Sequence, residues 1–160
     1  MITLKNISKS FDDRVIIQGI DAVMESSKCN LIIGTSGSGK TVLTKCIVGL
    51  IKPNEGSIEY DGEDLVQMDE KSKKLLRQQI GMLFQGNALF DSMTVQENVK
   101  FPLDMFTKLT LGEKIKKVDE VLDRVNLKDA HKRFPAEISG GMKKRVGIAR
   151  SIVLNPKYLF

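Results

Sequence analysis

The residues Gly34-Thr35-Ser36-Gly37-Ser38-Gly39-Lys40-Thr41 follow the spacing G-x-x-x-x-G-K-[ST]. A loop of this composition, set between a strand and a helix, turns successive backbone N–H groups inward and forms a concave nest for phosphate oxygens. Glycine is required because side chains would block the close approach and because several of the turn positions favour positive φ. Lys40 adds a mobile positive charge for the β- and γ-phosphates, and the Thr41 hydroxyl can ligate Mg²⁺. A second group, Ser139-Gly140-Gly141, stands directly before a basic helical segment. Small residues at a helix N-terminus offer free N–H groups and the positive end of the dipole, so this is a second candidate anion site.

Both motifs depend on the elements that carry them. Leu31-Ile32-Ile33 reads as a short buried parallel strand leading into the loop. After Lys40, Val42, Leu43, Cys46, Ile47 and Leu50 recur on one side of a helix, which would aim its positive end at the phosphates. Upstream, residues 2–7 alternate apolar and polar as a half-buried strand does, and residues 15–24 read as a second strand. Ser57 to Tyr60 followed by Asp61-Gly62 signals a hairpin. A helix is expected over 69–79 and a short strand over Ile80 to Phe84. Thr94 with Glu97, and Thr110 with Glu113, have the spacing of capping boxes. The second opens a helix with an apolar stripe of Leu111, Ile115, Val118, Leu122 and Val125. A last helix is expected from about Met142 to Leu154, stopped by Pro156, with a strand starting at Lys157 to Phe160.

Composition narrows the class. With 41% hydrophobic and 28% charged residues, the 160-residue chain has the make-up of one globular domain. No apolar run approaches the roughly eighteen residues of a membrane span, and nothing like a signal peptide precedes the first strand. Cys29 and Cys46 lack a C-x-x-C spacing and read as small buried thiols, and His131 stands alone, so no Cys/His metal site is expected. The net charge of +5 favours anionic partners. The clusters Lys71/Lys73/Lys74/Arg77 and Lys143/Lys144/Arg145 read as solvated helix faces. Nothing interleaves aromatics with them as single-stranded nucleic acid would require, and no nucleic-acid partner is expected.

The order of the motifs carries a resemblance. A phosphate loop, Phe84-Gln85 after a strand, and Ile138-Ser139-Gly140-Gly141-Met142 before a basic helix together resemble, over the whole chain, the nucleotide-binding domain of ATP-binding cassette (ABC) transporters. The resemblance implies an α/β P-loop NTPase fold of ABC type. It would have a mostly parallel core sheet, an antiparallel β subdomain and a helical subdomain, and would be incomplete at the C-terminal end. Residues 1–160 would form the N-terminal part of that domain, with about 86–140 holding the Q-loop and helical subdomain. Gly34, Thr35, Ser36, Gly37, Ser38, Gly39, Lys40, Thr41 and Val42 match the Walker A nucleotide-binding residues. Gln85 matches the Q-loop glutamine that contacts Mg²⁺ and the attacking water. Ser139, Gly140 and Gly141 match the signature motif, and Phe11 the aromatic residue that stacks on adenine. By the same resemblance Lys40, Gln85 and Ser139 would be catalytic, Thr41 and Gln85 would hold Mg²⁺, and ATP would be the nucleotide.

The resemblance further implies a two-fold homodimer, in which the signature helix of one subunit caps the γ-phosphate bound by the other. Partners would be membrane permease subunits, and the location would be cytoplasmic, on the inner face of the membrane. The run Phe84 to Val95 with Glu97-Asn98-Val99 and Phe101-Pro102-Leu103 is similar to the ATPases of Mla-type (Mce-associated) phospholipid transporters. Met142 in place of the usual signature glutamine, and Val42 in place of a hydroxyl residue, fit the same subgroup. The alternatives are an ABC ATPase of another importer or exporter, one acting on nucleic acid or ribosomes, and a non-hydrolysing nucleotide-binding remnant. The Walker B aspartate, catalytic glutamate, D-loop and switch histidine of the family would lie beyond Phe160. The expectation is therefore a fragment of a longer ATPase that alone hydrolyses little.

Overall fold

The computed structural model describes every residue of the chain except Gln85 and Asn87. It divides into two compact units, Met1–Leu75 and Leu76–Phe160. In the first, β1 (Ile2–Phe11), β2 (Arg14–Met24), β3 (Glu55–Tyr60) and β4 (Glu63–Asp64) form one antiparallel sheet in the order β2-β1-β3-β4. Ile2 and Leu4 point to the core, and a register shift after Leu4 then brings the odd-numbered Ile7 to the same side. Asn6 absorbs the extra residue at φ 52, its N–H donating to Asp21 Oδ1 at 2.9 Å. A bulge of this kind keeps the apolar set facing inward where strict alternation would turn it out. The Asp61-Gly62 hairpin forms as expected, both residues having positive φ (51° and 93°), as a tight two-residue turn requires.

The phosphate-loop helix α1 (Lys40–Ile47) buries Leu43, Cys46 and Ile47. The Tyr60 hydroxyl donates to the Ile47 carbonyl at 2.8 Å, satisfying one of the last acceptors of α1. Two expectations fail here. Leu50 is exposed, because α1 ends at Ile47 and Gly49 turns the chain at φ 75. Leu31-Ile32-Ile33 is not a strand: Leu31 and Ile33 are 78% and 84% exposed, and neither sheet among the described residues includes them. A parallel strand is held by neighbours, and an apolar run without one has no ladder to join. Cys29 is exposed, contrary to expectation, while Cys46 is buried with its thiol pKa raised by desolvation, against a smaller opposing pull from Lys9.

α2 (Glu70–Gln78) runs across the division between the units. In the second unit, β5 (Ile80–Gly81) pairs in parallel with β6 (Tyr158–Leu159), so the strands expected at 80–84 and 157–160 exist in shortened form. Gly81 permits the close approach: a Cβ there would lie 2.8 Å from Pro156 Cγ and 3.0 Å from Leu159 Cδ1. Three helices build the core, α3 (Val95–Phe106), α4 (Leu111–Arg124) and α5 (Gly140–Ile152). They pack Val99, Leu103, Val118, Leu122, Val146 and Ala149 into one cluster. Both capping boxes form, with Glu97 Oε2 accepting from Thr94 N and Glu113 Oε2 from Thr110 N, each at 2.8 Å. Leu111 departs from its expected stripe and is 63% exposed: at the first position of α4 it lies outside the helix's contact with the core, where Val121 is buried instead. α5 stops at Ile152, earlier than expected, where Asn155 (φ 52) donates its N–H to the Ile152 carbonyl at 2.8 Å. The described residues contain no helix long and apolar enough to cross a membrane.

Candidate nucleotide site

In the first unit the phosphate loop runs from Gly34 into α1. Gly39 caps the helix in a left-handed conformation (φ 89°, ψ 1°), and no side chain closes the end. The first intrahelical bond is donated by Leu43 N–H to the Gly39 carbonyl at 2.8 Å, so the N–H groups of Lys40, Thr41 and Val42 have no acceptor within the helix. Only glycine fits at this cap, since a Cβ on Gly39 would stand 2.6 Å from Ile17 Cγ2 and 3.0 Å from the Ile16 carbonyl oxygen. β2 thus sets the loop's position, a role of Ile16 and Ile17 that the motif spacing alone did not indicate. Gly37 also has positive φ (80°), but a Cβ there would meet nothing within 4 Å, which leaves open space beside the loop.

Lys40 Nζ donates to the carbonyls of Gly34 at 2.8 Å and Thr35 at 2.6 Å, folding the cation back across the loop. Ser38 N–H closes a tight turn onto the Thr35 carbonyl at 3.3 Å. Thr35, Ser36, Ser38 and Thr41 are exposed and Val42 is half-buried. The open loop, the uncapped helix end and the adjacent ammonium fit a polyphosphate. Phe11, at the end of β1, is 44% exposed, and Lys9 Nζ lies 5.2 Å from its ring centroid. It is therefore an accessible aromatic ring and not the core residue such a position often holds.

In the second unit Ser139 is the N-cap of α5: its Oγ accepts from Met142 N–H at 3.2 Å and its carbonyl from Lys143 N–H at 2.9 Å. Gly140 and Gly141 are exposed in the first turn, and a Cβ on Gly140 would meet nothing within 4 Å. Phe11 and the phosphate loop lie in one unit and Ser139-Gly140-Gly141 in the other. Gln85 lies outside the described residues.

The second unit also holds a groove of about 370 Å³ whose walls include Phe84, Phe90, Phe101 and Phe106, together with Arg77 and Arg150. Asn98 supports it. This residue is fully buried, its Nδ2 donating to the carbonyls of Phe90, Met93 and Thr94 at 3.0 Å and its Oδ1 accepting from Phe90 N–H at 2.8 Å. No motif spacing assigns Asn98 a role. Its signal is a lone amide between Val95 and Val99 on the buried face of α3. No group of three or more His, Cys, Asp or Glu side chains among the described residues is arranged to hold a metal ion. His131 Nε2 instead lies 3.0 Å from Asp119 Oδ1.

The family model described as ABC transporter matches residues 17–160. The chain belongs to the ABC transporter family. It is 39% identical over 158 residues to the probable ribonucleotide transport ATP-binding protein mkl of Mycobacterium leprae, covering 99% of this chain and 46% of that protein. It is 36% identical over 159 residues to the methionine import ATP-binding protein MetN of Brucella abortus, covering 99% of this chain and 43% of the relative. The chain therefore spans less than half the length of these curated relatives. Among solved structures it is similar to the dimeric bacterial ABC transporter cassette MJ0796, with a TM-score of 0.88, 30% identity, and coverage of 98% of this chain and 71% of that one. A second is cbiO1 of Clostridium perfringens, part of the ABC transporter complex cbiONQ. Its TM-score is 0.84 and its identity 30%, covering 99% of this chain and 63% of that one. The ABC-type P-loop fold follows from these likenesses. The antiparallel sheet, the helices and the parallel β5–β6 pair among the described residues are consistent with that fold.

Proposed function

We propose that this chain is the ATP-binding part of a transport ATPase, coupling ATP binding and hydrolysis to movement of phospholipid or another lipophile. The observation that carries the nucleotide reading is the phosphate loop: an uncapped α1 with Gly39 left-handed and Lys40 Nζ held over the loop carbonyls. A triphosphate entering the loop would draw Lys40 from those carbonyls to its own oxygens, where a fixed cation stabilises charge developing during phosphoryl transfer. Mg²⁺ would be held by the Thr41 hydroxyl and Gln85 and would neutralise phosphate charge. Such sparse protein ligation suits an ion that keeps its waters and phosphate oxygens. Phe11 offers a ring face to adenine.

Ser139, Gly140 and Gly141 would complete the site of a second subunit across a two-fold axis, which reciprocates every contact. The MJ0796 cassette, a structural relative, is dimeric. The aromatic groove is the proposed seat of a membrane permease subunit, presented as a short amphipathic segment. Its aromatic walls suit apolar side chains, and Arg77 and Arg150 complement a carboxylate on that segment. Placement on the inner face of the cytoplasmic membrane follows from that partner.

The lipid reading is supported by the run Phe84 to Val95 together with Val42 and Met142. The curated relatives carry ribonucleotide and methionine in their names. Two measurements test the proposal. MgATP turnover by the purified ATPase should fall on the order of a hundredfold or more in Lys40→Ala. Transport assays in vesicles with labelled phospholipid, ribonucleotide and methionine should show ATP-dependent movement of the phospholipid. Movement of either of the others alone would replace the lipid assignment and leave the ATPase assignment intact.

A further inference from the structure

The backbone from Ala88 to Thr94 is gripped from two helices. On one side Asn98 of α3 binds both the N–H and the carbonyl of Phe90 and reaches Met93 and Thr94. On the other, Arg150 of α5 donates from Nη1 to the Ala88 carbonyl at 2.9 Å, and its guanidinium carbon lies 5.8 Å from the Phe90 ring centroid. The Phe90 ring in turn meets Phe101 of α3 at 4.9 Å between centroids. We infer that Arg150 is a positioning residue, fixing the Ala88–Phe90 wall of the aromatic groove to α5, the helix whose other end is Ser139-Gly140-Gly141.

Three physical features favour this role. A guanidinium presents a planar fork that can donate to a carbonyl while stacking on a ring, and an ammonium cannot reproduce both contacts. Arg150 sits near the C-terminal end of its helix, where a cation is favourable, and burial lowers its pKa from the ordinary guanidinium value. The wall is otherwise irregular backbone, so side chains must supply the bonds that a sheet or helix would provide. A groove formed in advance spares its occupant the cost of ordering the wall. This functional consequence rests on the permease-docking reading above, whereas the clamp stands on contacts within the second unit.

Amide hydrogen exchange on the full chain tests the clamp, comparing wild type with Arg150→Met and Arg150→Lys. Exchange at Phe90 and Met93 should accelerate about tenfold or more in Arg150→Met and stay substantially accelerated in Arg150→Lys. The amides of Lys114 and Val125 in and beside α4 should keep their wild-type rates. Unchanged rates at Phe90 and Met93 in Arg150→Met would overturn the inference, and so would a uniform rise across the second unit. Full restoration by lysine would show that charge alone suffices and would overturn the fork-and-stack account. Binding of a fluorescent ATP analogue is measured on the same samples and should be equal in wild type and both variants. Failure of the wild type to bind it would count against the nucleotide reading while leaving the exchange result to decide the clamp.

Discussion

The two helix ends that carry the sequence motifs are built in opposite ways. At α1 the cap is Gly39, left-handed and without a side chain, so none of the first N–H groups is consumed by a cap. At α5 the cap is Ser139, extended, with its hydroxyl already accepting from Met142. Both ends have the positive pole of a helix dipole, but α1 leaves its donors for a ligand while α5 is partly satisfied by its own chain. A Lys40 side chain over the loop adds a cation at the first end. On the proposed reading, the conformationally capped start of α1 is the primary phosphate site, and the side-chain-capped start of α5 a weaker, supplementary one.

Substitutions can break or sharpen this contrast. The largest effect is expected from Gly39→Val. Its Cβ would run into Ile17 and its backbone would be strained at φ 89, so nucleotide binding should be lost, with destabilisation of about 2–4 kcal/mol seen in thermal unfolding. Asn98→Ala comes next: removing this buried amide strips the Phe90 N–H and the Met93 carbonyl of their side-chain partner, and the second unit should lose about 2–3 kcal/mol by denaturant titration. Ser139→Ala should cost only about 1 kcal/mol through the cap and leave ATP binding to the loop unchanged.

The smallest effect is a pH dependence at the other capped ends. Glu97 is held below its ordinary value of 4.5 mainly by the Thr94 backbone N–H, and Glu113 below the same value mainly by the Thr110 hydroxyl, then the Thr110 N–H. A carboxyl with a depressed folded pKa stabilises the protein above its unfolded pKa, and that stability is lost as pH falls through the folded value. The melting temperature should therefore decline modestly as pH drops below 4.5, the shared ordinary value. Glu97→Gln together with Glu113→Gln should flatten the decline.

Local signals were legible where local chemistry decides the outcome. The Asp61-Gly62 turn and both capping boxes depend on residues within a few positions of one another, and all formed. What was not legible depends on distant partners. Leu31 and Ile33 have strand composition, yet a strand exists only beside another, and none of the described strands pairs with them. Leu111 fits the helical period but sits at the helix start, where the period no longer guarantees a core neighbour. Asn98 and Arg150 act on backbone eight and sixty-two residues away, which no spacing rule reveals.

Backbone amide mapping by NMR during titration with MgATP tests the contrast most directly. The account predicts that, in the single chain, shifts concentrate at the amides of 36–42 on the loop and the first turn of α1, with those of 140–143 on α5 little changed. Larger shifts on α5 than on the loop, under the same titration, would contradict it.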